Sequence, residues 1–143
     1  MTQKHVEVAI GVVFERSAER VLICRRKHDT VLGGYWEFPG GKCDVGEAPE
    51  ACVRREIMEE VGLTVIAIKA LPLIEHVYPY ASVRLHPFVC RHVSGEPQLL
   101  AVADAKWVLP AELGGYEFPP ANAGLLAQVE LGWEGLMGND AAT

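Results

Sequence analysis

Within residues 41 to 63, GKCDVGEAPEACVRREIMEEVGL, the types and spacing of Gly41, Glu47, Arg55, Glu56, Glu59, Glu60 and Gly62 could do chemistry. On a helix, Glu59 lies three residues and Glu60 four beyond Glu56, so the three carboxylates project from nearly one face. Each like-charge pair costs about 0.2–0.5 kcal/mol without a counterion. A divalent cation joining them removes that cost, and hard carboxylate oxygens favour magnesium or manganese over zinc. That chemistry suits an enzyme acting on a phosphorylated substrate. Arg55 diverges from Glu56 by a large angle on the helix but follows Glu47 by eight residues, which makes it an orienting cation for Glu47 and the loop. Gly40 and Gly41 leave backbone groups free to approach a phosphate or a metal closely. EIMEE alone would be an ordinary solvated helix face; the fixed offsets of Gly41, Glu47, Arg55, Gly62 and Leu63 argue against that.

The elements that must position these residues follow from pattern and punctuation. Pro49 suits the first turn of a helix and Gly62 its end, with Ala51, Val53, Ile57 and Val61 as the candidate buried stripe. Val6 to Phe14 and Arg20 to Arg26 read as a hairpin. His28 to Tyr35 is a loop into a short strand at Trp36 to Phe38, which Pro39-Gly40-Gly41 breaks. Further strands are expected at 64 to 77, 83 to 93 and 106 to 109, and a second helix from Ala123 to Leu131. The last ten residues, EGLMGNDAAT, read as a frayed tail. Strands mixed with two main helices imply an α/β sandwich, not a strictly alternating doubly wound sheet.

A chain of 143 residues, half of them hydrophobic, is one domain of ordinary size, assigned to residues 1–132, with 133–143 as a flexible C-terminal tail. The formal net charge of −6 argues against binding a nucleic-acid backbone, which needs a basic face. A nucleotide arriving with its own magnesium is compatible with an acidic protein. No stretch has the length and apolarity to span a bilayer, and the N-terminus lacks a signal-peptide pattern. The four cysteines at 24, 43, 52 and 90 show no C-x-x-C spacing, as expected of reduced thiols in a cytoplasmic protein.

The whole pattern, G-x5-E-x7-R-E-(apolar)-x-E-E-x-G-(apolar), resembles the Nudix box without a departure. The resemblance implies an α/β/α sandwich with a mixed sheet between helices, and magnesium-dependent hydrolysis of a nucleoside diphosphate linked to another moiety, with manganese able to substitute. By that resemblance Glu56, Glu59 and Glu60 would carry the metal with the Gly40 carbonyl, and Glu56 would be the base for the attacking water. Arg55 and Glu59 join Glu56 as the catalytic set.

WEFPGGK, residues 36–42, and FPPAN, residues 118–122, resemble MutT-type members, which sanitise oxidised nucleoside triphosphates. Asn122, Arg26 and Phe38 then map onto nucleotide-contacting positions. An amide presents a donor and an acceptor side by side, so it cannot pair with N7 and O6 of guanine, both acceptors. Oxidation at C8 turns N7 into a donor, and that edge fits; adenine fits it in the flipped orientation. Asn122 is equally well placed to cap the final helix. The expected reaction is conversion of a nucleoside triphosphate to monophosphate and pyrophosphate, with an oxidised purine such as 8-oxo-dGTP as substrate. Two departures leave alternatives open. The stretch Leu99 to Ala103 lacks the extra acidic residue common in MutT-type proteins, with Asp104 the nearest carboxylate. Arg84-Leu85-His86 resembles relatives that prefer pyrimidine triphosphates such as CTP or 5-methyl-dCTP. A Nudix domain that only binds nucleotide is the alternative from another class, set against the retention of all three box glutamates. A monomer or homodimer is expected.

Overall fold

The computed structural model describes residues 4–138 apart from residues 31, 78 and 80. Its centre is an eight-stranded mixed sheet. Strand β1 (Lys4–Phe14) pairs antiparallel with β2 (Val21–Arg25), as the hairpin pattern predicts. Beyond β2 lie β3 (Trp36–Glu37) and, also antiparallel, β8 (Asp104–Val108). On its other side β1 pairs in parallel with β7 (Ala81–Ser94) along its full length, from Lys4 opposite Ala81 to Phe14 opposite Arg91. The far edge is formed by β5 (Thr64–Ala70) and β6 (Ile74–Val77), both antiparallel to β7. The single run expected over 64 to 77 is therefore two strands, parted at Leu71-Pro72-Leu73, where proline has no N–H to give to a ladder.

Residues expected only as a break form β4 (Gly40–Lys42), antiparallel to β1 with Ile10 opposite Gly40. The glycines make this possible. A Cβ on Gly40 would collide with the carbonyl oxygen of Ala9.

The two faces of the sheet carry separate cores because β1 alternates. Ile10, Val12 and Phe14 join one core, and Ala9 and Val13 the other. Helix α1 (Pro49–Val61) covers the second face, with Cys52, Val53, Ile57 and Val61 buried, and Gly62 ends it in the left-handed conformation at φ 71°. Cys52 thus takes the place in the stripe expected of Ala51, which is only half-buried.

The helix lies so close to β1 that a Cβ on Gly11 would come within 2.7 Å of Ile57 Cδ1 and 3.3 Å of Val53 Cγ2. Both partners are fully buried, so the helix must shift to admit the extra methyl. Gly11→Ala should destabilise the fold by about 1–3 kcal/mol. Thermal denaturation checks this, and an unchanged melting temperature would mean the interface has slack.

On the other face lie α2 (Ala123–Val129) and α3 (Gly132–Met137). Helix α3 corrects the expected tail. Trp133 meets Phe14 edge-on at 5.3 Å, its ring lies under the Arg91 guanidinium at 4.9 Å, and Leu136 and Met137 are buried. Lys69 Nζ donates to the carbonyls of Leu136 and Met137, satisfying the end of α3. Only residues 139–143 of that tail lie outside the described residues.

Candidate active site

The acidic helix meets β4 at its glycines. Glu60 turns inward, and its Oε1 accepts the Gly40 N–H at 2.9 Å. Glu56 presses against Gly41, where a Cβ would collide with its carboxylate. Backbone N–H groups of Gln98, Leu100 and Ala101 donate to the carbonyls of Val61 and Glu60, so the loop before β8 caps the helix end that carries the carboxylates.

Arg55 organises the remainder. Its Nε and Nη2 donate to the two oxygens of Glu47 at 2.8 and 2.9 Å, a bidentate pair, and Nη2 also reaches the Lys42 carbonyl at 3.1 Å. The sequence predicts this grip on Glu47. It does not predict that Arg55 also curls back along the helix. Nη1 donates to Glu56 at 3.0 Å and to both oxygens of Glu59 at 3.1 Å. Adjacent helix residues diverge at Cβ, but an arginine stem is long enough to return.

Electrostatics divide the carboxylates. The hydrogen bonds from Arg55 hold Glu47 far below the ordinary carboxylate value, at about 2, and in turn raise the arginine. Burial pushes Glu60 up to about 7, with the charges of Glu37 and Glu56 adding to the rise. Burial also raises Glu56, although Arg55 opposes it.

Among the described residues no three histidine, cysteine, aspartate or glutamate side chains stand in a ligating arrangement. Glu56 and Glu59 instead converge on one guanidinium nitrogen, and Glu60 on a peptide N–H. The donor set nonetheless fits a hard divalent cation. It is all oxygen, two of its members already gather about a positive charge, and burial sets the third against its own charge.

Asn122, Arg26 and Phe38 part company. Asn122 occupies the N-cap position of α2, yet its side chain makes no capping hydrogen bond. It lines a cavity of about 170 Å³ with apolar walls from Val8, Ile10, Val83 and Leu85, and with Arg26 at the same cavity. Phe38 is buried at 3% exposure and packs against Phe118 at 5.4 Å; it belongs to the core, not to the cavity.

Two residues that the sequence motifs do not single out also line these cavities. Glu37 accepts two bonds from Arg26 Nη1, at 2.8 and 3.1 Å, and with Glu60 it lines a smaller cavity of about 130 Å³. Arg26 and Glu37 line both cavities and therefore stand between the carboxylates and Asn122. The available signal was strand alternation, since Trp36 and Phe38 both turn inward and leave Glu37 facing the site. His76 of β6, at the wall of the larger cavity, had no such signal. Of Arg84-Leu85-His86, only Leu85 lines the cavity; the other two lie by Glu7, with His86 at 3.1 Å. Asp104 accepts the N–H of its neighbour Ala105.

A mixed sheet with helices on both faces, carrying an arginine-braced acidic helix at a glycine strand, makes this an α/β/α sandwich. The NUDIX domain model matches residues 9–128, and the chain belongs to this family as a Nudix hydrolase, a class that generally needs a divalent metal. It is 32% identical to the 8-oxo-dGTP diphosphatase of Escherichia coli over 89% of this chain and 98% of that protein. The Haemophilus influenzae 8-oxo-dGTP diphosphatase is 29% identical over 88% of this chain and 92% of its own length. A solved structure from work on MutT of Aliivibrio salmonicida and Vibrio cholerae superposes with a TM-score of 0.73 at 28% identity, covering 88% of this chain and 96% of that one. The chain is thus similar to MutT-type members of the family. No described helix is long and apolar enough to cross a membrane.

Proposed function

We propose that this chain is a magnesium-dependent nucleoside triphosphate pyrophosphohydrolase that converts oxidised purine nucleotides such as 8-oxo-dGTP to the monophosphate and pyrophosphate. The observation that carries the reading is Asn122: a helix-start amide without a capping bond, facing an apolar-walled cavity beside Arg26. Its donor and acceptor match the N7–H and O6 edge of an 8-oxopurine and mismatch guanine. The similarity to 8-oxo-dGTP diphosphatases supports the same substrate.

In this reading Glu56, Glu59, Glu60 and the Gly40 carbonyl hold magnesium, with manganese able to replace it. The metal, when bound, neutralises diphosphate charge and lowers the pKa of water. Glu56 takes the proton of the attacking water, Arg55 keeps Glu56 and Glu59 in place, and Arg26 meets the phosphate or sugar. Residues 4–138 act as one domain, in the cytoplasm, as a monomer or homodimer.

Hydrolysis of 8-oxo-dGTP, dGTP, dATP, dCTP, 5-methyl-dCTP and ADP-ribose with magnesium, scored by kcat/KM and product, tests this reading. Preference for 8-oxo-dGTP with pyrophosphate release is expected; a cytidine preference would keep the family and remove Asn122 from base reading. Asn122→Ala should lower the preference for 8-oxo-dGTP over dGTP by about tenfold to a hundredfold, the discrimination carried by one bidentate amide–base pair. Equal loss on both substrates would return Asn122 to a structural role.

A further inference from the structure

Two thiols meet beneath the loop that carries Glu47. Cys43 follows β4 directly, and its N–H donates to the Glu7 carbonyl at 2.9 Å. Cys52 sits in the first turn of α1, with its N–H on the Ala48 carbonyl at 2.9 Å and its Sγ donating to the Gly41 carbonyl at 3.6 Å. Both backbones are therefore anchored. The two thiols lie beside each other, Cys43 packing against the buried cluster that contains Cys52, with the Glu47 carboxylate close to both.

Their exposure differs. Cys52 is fully buried, whereas Cys43 is half-buried and lines an open surface cavity of about 520 Å³ with His5, Lys42, Asp44 and Glu47. A reagent entering that cavity meets Cys43, which lines it, and not the buried Cys52. An outer thiol that can be attacked and an inner thiol in contact with it are what two-step exchange requires.

We propose that Cys43 and Cys52 form a reversible intramolecular disulfide by exchange with a low-molecular-weight disulfide, and that the cross-link slows hydrolysis at the adjoining carboxylates. In the first step the Cys43 thiolate attacks one sulfur of the reagent disulfide, forming a mixed disulfide. One thiolate of the reagent leaves and takes up a proton. Cys52, as thiolate, then attacks Cys43 Sγ and expels the second reagent thiolate, which is protonated in turn. The two protein thiols are oxidised by two electrons, and the reagent disulfide is reduced to two thiols.

The cross-link removes the Cys52 S–H from the Gly41 carbonyl and draws together the two ends of the loop that carries Glu47, so it disturbs both supports of Glu56: the glycine strand and the Glu47–Arg55 pair. Burial raises both thiols above their ordinary value, so the exchange is slow at neutral pH and quickens as pH rises.

The test incubates the purified full chain with oxidised glutathione at mildly alkaline pH and follows intact mass, the non-reduced tryptic peptide 43–54 and kcat. Expected are a loss of two hydrogens confined to that peptide and a fall in kcat of about 10²-fold, the scale of an ångström-sized misplacement at a reacting centre, reversed by dithiothreitol. Cys52→Ala should keep glutathione attached at Cys43, and Cys43→Ser should take up none. A stable glutathione adduct on the wild-type protein, no reaction at Cys43, or a cross-link that leaves kcat unchanged would each overturn the proposal. The mass readout does not depend on which nucleotide is the substrate.

Discussion

Glu56→Gln should lower kcat by about 10³-fold, within the range for loss of a general base, while nucleotide binding persists. Glutamine preserves the shape of a side chain that fits against Gly41 too closely for any Cβ, and it can still accept a bond from Arg55. It cannot take the proton from water, and it brings no negative charge to a cation. Volume and packing stay while the chemistry goes, so the change reads the chemistry alone. Turnover of 8-oxo-dGTP beside calorimetric binding of a non-hydrolysable triphosphate separates the two. Full activity in this variant would remove Glu56 from the reaction.

Arg55→Lys should cost about 10²-fold in kcat with little change in KM, because a positioning group is lost and no substrate contact is. Lysine keeps the charge but cannot reproduce the paired bonds to Glu47 while also bonding Glu56, Glu59 and the Lys42 carbonyl. The same cluster sets an acid limit on stability. Glu47 has a folded value of about 2, depressed from 4.5 chiefly by the bonds from Arg55. Its stabilisation is therefore complete above the unfolded value of 4.5 and is lost as pH falls toward 2. Arg55→Ala should bring the acid unfolding midpoint to higher pH, as measured by circular dichroism across an acid titration. An acid limb identical to that of the wild type would show that Glu47 draws no stability from the pair.

Where local chemistry decides structure, the sequence was legible. Pro49, Gly62 and the spacing of Val53, Ile57 and Val61 specify α1 before any tertiary contact is known. Where distant partners decide, it was not. Gly40–Lys42 has poor strand propensity and becomes β4 because β1 offers it a free edge. The glycine-rich start of the expected tail folds as α3 because Phe14, Arg91 and Lys69 lie beneath it, all more than 40 positions away. The same division holds at the site. The Glu47–Arg55 pair lies within one motif and could be read from spacing. The Arg26–Glu37 pair depends on β2 and β3 meeting in register, which no local spacing encodes. From sequence Asn122 fits capping and base reading alike, because a helix start does not say where its amide points; in the structure that amide makes no capping bond.

The parallel partnership of β1 with β7 bears on how the chain is made. During synthesis the first strand, buried from Ala9 to Phe14, and its hairpin partner, buried from Val21 to Cys24, emerge long before residues 81–94 exist to cover the other edge of β1. Pairings across so many positions form slowly, and an apolar strand waiting with an open edge is a site for association with other chains. The ribosome must therefore deliver the chain through Ser94 before β1 is paired along both edges. Until then the open edge of β1 offers unpaired N–H and C=O groups to any strand or chaperone that meets it.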